Sequence, residues 1–318
     1  MKNVLTKILP LFFLILSLCS GITTLTCSEP KNTPSKQIPL EFDANRAFEL
    51  LKKQCEFGPR PPGSDAHVKT KDYLFTELKK YSTSVKLQPF TAEVDTIDDP
   101  PKKKTLKMNN IIAEFGNEHK ETLLLAAHWD TRPCADKDAD ADNQRQPIMG
   151  ANDGASGVAV LLEIARILKE TPPPRRIVII LFDGEDYGKS VDQMFLGSKY
   201  FAKNMGKWKP NYGILLDMIG DKDLQIPIER YSWNANPDYA SAIWKRAEEL
   251  GLVPFQHKLG LAILDDHIPL IKVGIPMVNI IDFDYPYWHT LEDTVDKCSP
   301  KSLEVVGKLV LNIIYEGL

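Results

Sequence analysis

The sequence predicts an α/β fold: a single domain with a central mixed, mostly parallel β-sheet flanked by helices. Three observations lead there. Apolar runs alternate with segments of helical periodicity from residue 42 to the C-terminus, the order expected of strands feeding crossover helices. The run Arg176–Phe182 is apolar along nearly its whole length, as a strand buried on both faces must be. The chain has 318 residues, and setting aside roughly the first 40 leaves about 280, a length that suits one large domain.

The elements follow in order. Residues 42–56 and 65–81 have helical patterns, separated by the break Gly58-Pro59-Arg60-Pro61-Pro62-Gly63, with Ser64 or Asp65 placed to cap the second helix. Strands are expected at 85–92, 110–115 and 122–127. A long polar loop follows, then a helix over 153–170 in which Val158, Leu161, Leu162, Ala165 and Leu168 keep helical spacing before Pro172-Pro173-Pro174 stops it. Arg176–Phe182, 214–216 and Met277–Ile281 are the remaining core strands, and 236–250 and 300–315 the remaining helices. The lysine run Lys102-Lys103-Lys104 is expected on a solvated loop. The tryptophans Trp129, Trp208, Trp233 and Trp244 read as packing residues.

Composition is that of a soluble globular protein, with 43% hydrophobic and 26% charged residues. A net charge of −4 gives no reason to expect a nucleic-acid partner. At the N-terminus, Lys2 and Lys7 precede an apolar run over 8–18, the pattern of a secretory signal peptide and short for a membrane-spanning helix. We therefore expect a signal peptide over 1–27, a Pro- and Lys-bearing linker over 28–40 and the catalytic domain over 41–318, with an exported, periplasmic or secreted product. Cys19 and Cys27 each follow a Leu-containing tripeptide, so a lipoprotein signal, with membrane contact through a lipid anchor alone, is the variant of this reading. Cys55, Cys134 and Cys298 remain in the domain. Three thiols allow one internal disulfide, whose pairing spacing does not specify, or three free thiols, and the spacing matches no cysteine zinc motif.

Five short segments carry the chemistry: AAHWD, GANDGASG, LFDGED, LLDMIG and WHTLEDT. His128, Glu185, Asp186 and Asp217 fall just after apolar strands, at the edge where open α/β sheets bind ligands. Asp153 opens a helix, where exposed amides favour a carboxylate. Asp153, Asp186 and His289 make up three zinc ligands with one position left open. Glu185, beside a ligand in sequence, is placed to move a proton. Asp130 is spaced to orient His128 through its second ring nitrogen. The bland alternative for each residue alone is a cap or a surface position, and His67, His119 and His257 are assigned to that class. GANDGASG lacks the lysine of a phosphate-binding loop, and Ser156 falls inside the helix pattern rather than at a nucleophile elbow.

In order and spacing, HWD, NDGASG, GED, LLDMIG, DDHIPL and WHT resemble the zinc aminopeptidase family M28, and within it the glutaminyl-peptide cyclotransferases, from about Phe42 to the C-terminus. The resemblance implies one zinc on Asp153, Asp186 and His289, and Glu185 as the catalytic glutamate. It implies that Asp265 and Asp217 serve the catalytic machinery and that Trp288, Ile263 and Tyr285 wall the substrate pocket. Glu185-Asp186 departs from the family's usual Glu-Glu, so one ligand is a methylene shorter. The activity implied is cyclisation of N-terminal glutamine of peptides or proteins to pyroglutamate, by a monomer. The alternative is a two-zinc aminopeptidase, for which His128 and Asp217 would hold the second metal. A catalytically inactive relative would have lost Glu185 or a ligand, and none is lost.

Overall fold

The computed structural model describes residues 41–97, 101–117 and 121–318. The expected signal peptide, linker, Cys19, Cys27 and His119 lie outside the described residues. Among the described residues there are eight strands: β1 (Ser84–Asp95), β2 (Lys103–Phe115), β3 (Thr122–His128), β4 (Arg176–Phe182), β5 (Tyr212–Asp217), β6 (Ile226–Ile228), β7 (Phe255–Leu259) and β8 (Met277–Ile281). Six of them form one sheet in the order β1-β2-β4-β3-β5-β8, and β6 and β7 form a small second sheet. The three pairings among β4, β3, β5 and β8 are parallel, and β2 joins β1 and β4 antiparallel. The sheet is thus mixed with a parallel core, as the alternating runs and helices predict.

The helices are α1 (Ala44–Cys55), α2 (Asp65–Lys79), α3 (Ala155–Glu170), α4 (Leu196–Lys203), α5 (Arg230–Ala235), α6 (Pro237–Glu249), α7 (His267–Lys272) and α8 (Pro300–Glu316). Every residue of β3 and β4 is buried, and their side chains alternate between two cores. Leu123, Leu125, Ile177, Ile179 and Leu181 join the cluster that holds α1, α3 and α8. Leu124, Ala126, Val178, Ile180 and Phe182 join the opposite cluster, with Phe201 of α4 and Leu270 of α7. Helices on both faces explain why the central strands read as unbroken apolar runs.

Local chemistry sets the boundaries. α1 starts at Ala44 because the Asp43 carboxylate accepts the Arg46 N–H, and Ser64 caps α2 through the His67 N–H. α3 starts at Ala155 rather than 153, behind Gly154 at φ 106°. A Cβ on Gly154 would stand 2.4 Å from the Asp130 carbonyl oxygen, so only glycine lets this turn approach the end of β3. Lys103 and Lys104 belong to the exposed start of β2 rather than to a loop. The short elements α4, α5, α7, β6 and β7 escape the sequence patterns; β7 pairs only with β6 and is half-exposed, so it has no apolar alternation to read. Cys55, Cys134 and Cys298 are buried free thiols, so no disulfide forms among them.

Candidate active site

The parallel strands end on one edge, and the site is built there. His128 and Asp217 are the last residues of β3 and β5, and Glu185 and Asp186 follow β4 by three and four residues. Asp153 lies directly before the Gly154 turn that opens α3. His289 comes from the loop after β8 and holds φ 56°; Met218, directly after Asp217, holds φ 46°. Only three non-glycine residues among the described ones have positive φ, and two of them are here, so the fold keeps backbone strain at this edge.

Two groups of side chains converge on atoms within 4.8 Å of one another: Asp153 with Asp186 and His289, and Asp153 with His128 and Asp217. In the first, His289 Nε2 lies 3.1 Å from Asp186 Oδ2 and 3.6 Å from Asp153 Oδ2. In the second, His128 Nε2 lies 3.1 Å from Asp153 Oδ1 and 3.2 Å from Asp217 Oδ1. All five residues are buried. Asp186 Oδ2 is a buried carboxylate oxygen with no hydrogen bond. Buried carboxylates crowded together with an imidazole are a donor set that fits a divalent cation such as zinc. Burial pulls the His289 imidazole down, but Asp186, Asp136 and Asp153 outweigh it and hold it at about 9.

Other residues brace these groups. Asp130 accepts the backbone N–H of Glu185 at 3.1 Å and of Asp186 at 3.3 Å, and it stands 3.7 Å from His128 Nδ1. Its contact with His128 is therefore loose, and its hydrogen bonds fix the Glu185-Asp186 turn. Arg132 donates to Asp186 Oδ1 at 2.5 Å and forks onto Asp136, which lies 3.3 Å from His289 Nδ1. Asp293 accepts the N–H groups of Asn152 and Asp153. Arg60, fully buried, donates to the carbonyls of Trp129, Met149 and Gly150 and ties the Asp153 turn to the end of β3.

Glu185 stands beside both groups without belonging to either. Its side chain lines a narrow cavity of about 40 Å³ with Asp265, Ile263, Phe283 and Trp288. Burial, then the neighbouring Asp186 and the nearby Asp265 and Asp266 carboxyls, raises its proton affinity well above the usual glutamate range against the opposing pull of His128. Asp265 is raised likewise by burial, Asp217 and Asp266, and Asp266 reaches about 7. Asp265 accepts from the Asp266 N–H and from Asn279 Nδ2 of β8 at 2.7 Å. Glu229 anchors the same wall, accepting the Ile263 N–H at 2.9 Å and facing His267 Nε2 at 3.2 Å.

The structure brings together His128, Asp130, Asp153, Glu185, Asp186, Asp217, Ile263, Asp265, Trp288 and His289, as the sequence reading groups them. Two placements differ. Tyr285 does not line the cavity: its ring is buried and its hydroxyl donates to Asp293 at 2.8 Å, so it supports the Asp153 turn, while Phe283 faces the cavity and packs 4.9 Å from Trp288. His67 is not a surface residue but is buried, stacked on Trp129 and 2.7 Å from Asp183. Sequence reasoning passes over Arg132, Asp136, Glu229, Asn279 and Asp293, and gives Asp266 no role of its own. Asp266 and Asp293 stand inside motifs already singled out, DDHIPL and WHTLEDT, but no spacing signals the others.

A parallel-core α/β sheet with convergent carboxylate and imidazole clusters on its strand ends defines a metal-binding enzyme fold. The chain belongs to Peptidase family M28, whose profile matches residues 110–314. It is similar to a crystal structure of Bacteroides thetaiotaomicron glutaminyl cyclase bound to N-acetylhistamine, with 38% identity and a TM-score of 0.81, over 86% of this chain and 98% of that one. It is 24% identical to the glutaminyl-peptide cyclotransferase of Bos taurus over 81% of this chain and 78% of that protein. It is 28% identical to aminopeptidase YwaD of Bacillus subtilis (strain 168) over 63% of this chain, and spans 42% of that protein's length.

Proposed function

We propose that this protein cyclises N-terminal glutaminyl residues of peptides and proteins to pyroglutamate with release of ammonia, using one zinc per chain. The observation that carries this reading is the placement of Glu185: buried, beside a metal-capable cluster without joining it, and surrounded by carboxyls that raise its proton affinity. Asp153, Asp186 and His289 would hold the zinc, which supplies Lewis acidity toward an amide carbonyl oxygen. Glu185 accepts the proton that the α-amine loses as its nitrogen bonds to the side-chain carbonyl carbon. The same carboxyl returns that proton to the departing ammonia as the carbon–nitrogen bond breaks, so the proton count closes on one residue. Asp265, fixed by Asn279, and Asp266 keep Glu185 able to carry a proton near neutrality. Asp217 faces His128 at the opposite side of Asp153. Trp288, Ile263 and Phe283 wall a narrow cavity, which would take a single side chain.

A monomer is the working unit in this proposal. The lysine-flanked apolar run over 8–18 supports export, to the periplasm or the medium, and Cys19 or Cys27 would be the site of any lipid anchor. Among the described residues, no helix is long and apolar enough to cross a membrane.

The second reading, a two-zinc aminopeptidase, rests on the His128–Asp153–Asp217 cluster. One experiment separates the two. Purified protein is incubated with a Gln-initiated peptide and with a leucine anilide, and bound zinc is counted. We expect the Gln peptide to lose about 17 Da, the mass of ammonia in this acid–base mechanism, with no residue released. Free leucine together with two zincs per chain would establish the aminopeptidase instead.

A further inference from the structure

Asn279 is out of place in β8. It is fully buried in a strand whose other residues are all apolar, and a buried amide is costly unless hydrogen bonds hold it. Its Nδ2 donates to Asp265 Oδ2 at 2.7 Å, while its Oδ1 has no partner, so the bond to Asp265 is what orients the amide. β8 is an edge strand of the large sheet, and the Asn279 backbone N–H donates to Ser232 Oγ at 2.9 Å where a further strand would otherwise take it. The Ser232 hydroxyl donates in turn to Glu229 Oε2 at 2.7 Å. A line of hydrogen bonds thus runs from Glu229 through Ser232 and Asn279 to the Asp265 carboxyl, which lines the catalytic cavity with Glu185.

Glu229 has further holds. Its Oε1 accepts the Tyr231 N–H at 2.8 Å and the Ile263 N–H at 2.9 Å. Its Oε2 accepts the Ser232 N–H at 2.7 Å and stands 3.2 Å from His267 Nε2. The plain account is a helix cap, because Glu229 precedes α5 and the Tyr231 and Ser232 amides open that helix. A cap needs only those two contacts. The others tie this buried carboxylate to the Asn279 line, to the cavity wall at Ile263 and to α7 behind Asp265. Burial pushes its pKa up, but His267 and the Ile263 and Tyr231 amides hold it at about 2, so the group stays an acceptor for all of them.

We infer that Glu229 is a positioning residue with two arms: through Ser232 and Asn279 it sets the Asp265 carboxyl against Glu185, and through Ile263 it sets the wall that meets the substrate. The inference rests on the cyclase reading, which gives Glu185 the proton transfers. Steady-state kinetics with a Gln-initiated peptide separate the arms, with bound zinc counted and folding checked by thermal unfolding. Ser232→Ala cuts the line to Asp265 and leaves the Glu229–Ile263 bond. Its kcat is expected to fall about tenfold with KM within about twofold of wild type, since misplacing a group that acts in the transition state costs rate rather than affinity. Glu229→Gln turns N–H groups toward donors and disturbs both arms. Its kcat is expected to fall roughly 10²-fold and its KM to rise. The double variant is expected to lose no more kcat than Glu229→Gln alone, because the two residues act in one line. Bound zinc is expected to be unchanged, as neither residue belongs to a metal-capable cluster. If Glu229→Gln does not fold, Ser232→Ala alone decides. A Ser232→Ala variant with wild-type kcat, or losses that add in the double variant, overturns the inference while the cyclase reading stands. A wild-type protein that leaves the Gln peptide intact sinks the cyclase reading, and the role of Glu229 with it.

Discussion

The two carboxylate–histidine clusters share Asp153 and look alike in composition, yet they are held very differently. In the Asp153–Asp186–His289 cluster the side chains are gripped from behind. Arg132 pairs with Asp186 and with Asp136, and Asp136 in turn faces His289 Nδ1 at 3.3 Å. Asp293 fixes the backbone of Asp153. In the His128–Asp153–Asp217 cluster, His128 Nδ1, like His289 Nδ1, is a buried nitrogen without a hydrogen bond, and its nearest carboxylate, Asp130 at 3.7 Å, spends its oxygens on the Glu185 and Asp186 amides. His128 Nε2 instead lies between the two aspartates, and although burial opposes it, Asp130, Asp153 and Asp217 raise its proton affinity well above the usual range. The first cluster has an arginine-held carboxylate behind it, the kind of support that fixes a metal ligand, and in the other the imidazole stands between two carboxylates. Two similar lists of residues thus differ in what stands behind them.

The sharpest way to break this comparison is through the residue between the clusters. Glu185→Gln removes the proton carrier but keeps the shape, and turnover of a Gln peptide should fall by roughly 10²–10⁴-fold, the range for losing a positioned acid–base group. Zinc content should not change. Zinc lost together with activity would make Glu185 a ligand and undo the assignment. Next in size is Arg132→Met, which cuts the link between Asp186 and Asp136 without touching substrate. Zinc affinity, measured by competition with a chelator, should weaken by about 10–100-fold, as for other partners that orient a ligand. Unchanged affinity would mean that the bracing contributes nothing to the seat.

Much of the site was legible because many of its side chains sit at strand ends, where an apolar run stops and a charged residue follows. His128 and Asp217 are the terminal residues of β3 and β5, and Glu185-Asp186 fall in the turn after β4. The core strands were legible for a related reason: burial on both faces leaves no polar alternation. Bracing residues escape because their signal is reach, not spacing. Arg132 sits in a polar loop and acts on Asp186, 54 positions away. Arg60 reads as part of a Pro-Gly break, yet it is fully buried and satisfies carbonyls 69 and 90 positions away. Tyr285 and Phe283 show the limit within a motif. Both are aromatic and two residues apart in one loop, and only the folded backbone decides which faces the cavity and which reaches Asp293. β7 and α7 escape because a half-exposed strand and a six-residue helix carry no full period of either pattern.

The smallest expected effect probes the unbraced cluster directly. If His128 serves as a cation among Asp130, Asp153 and Asp217 rather than as a metal ligand, His128→Asn removes positive charge but no zinc seat. Zinc should remain at one per chain, and its affinity should change by less than the roughly tenfold lower bound for a ligand's own supporting partners. Some loss of stability should accompany it, because Asp153 and Asp217 lose the imidazole that stands between them. A wild-type protein with two zincs, falling to one in the variant, would contradict the comparison at its root. It would show that bracing by Arg132 does not separate the two clusters.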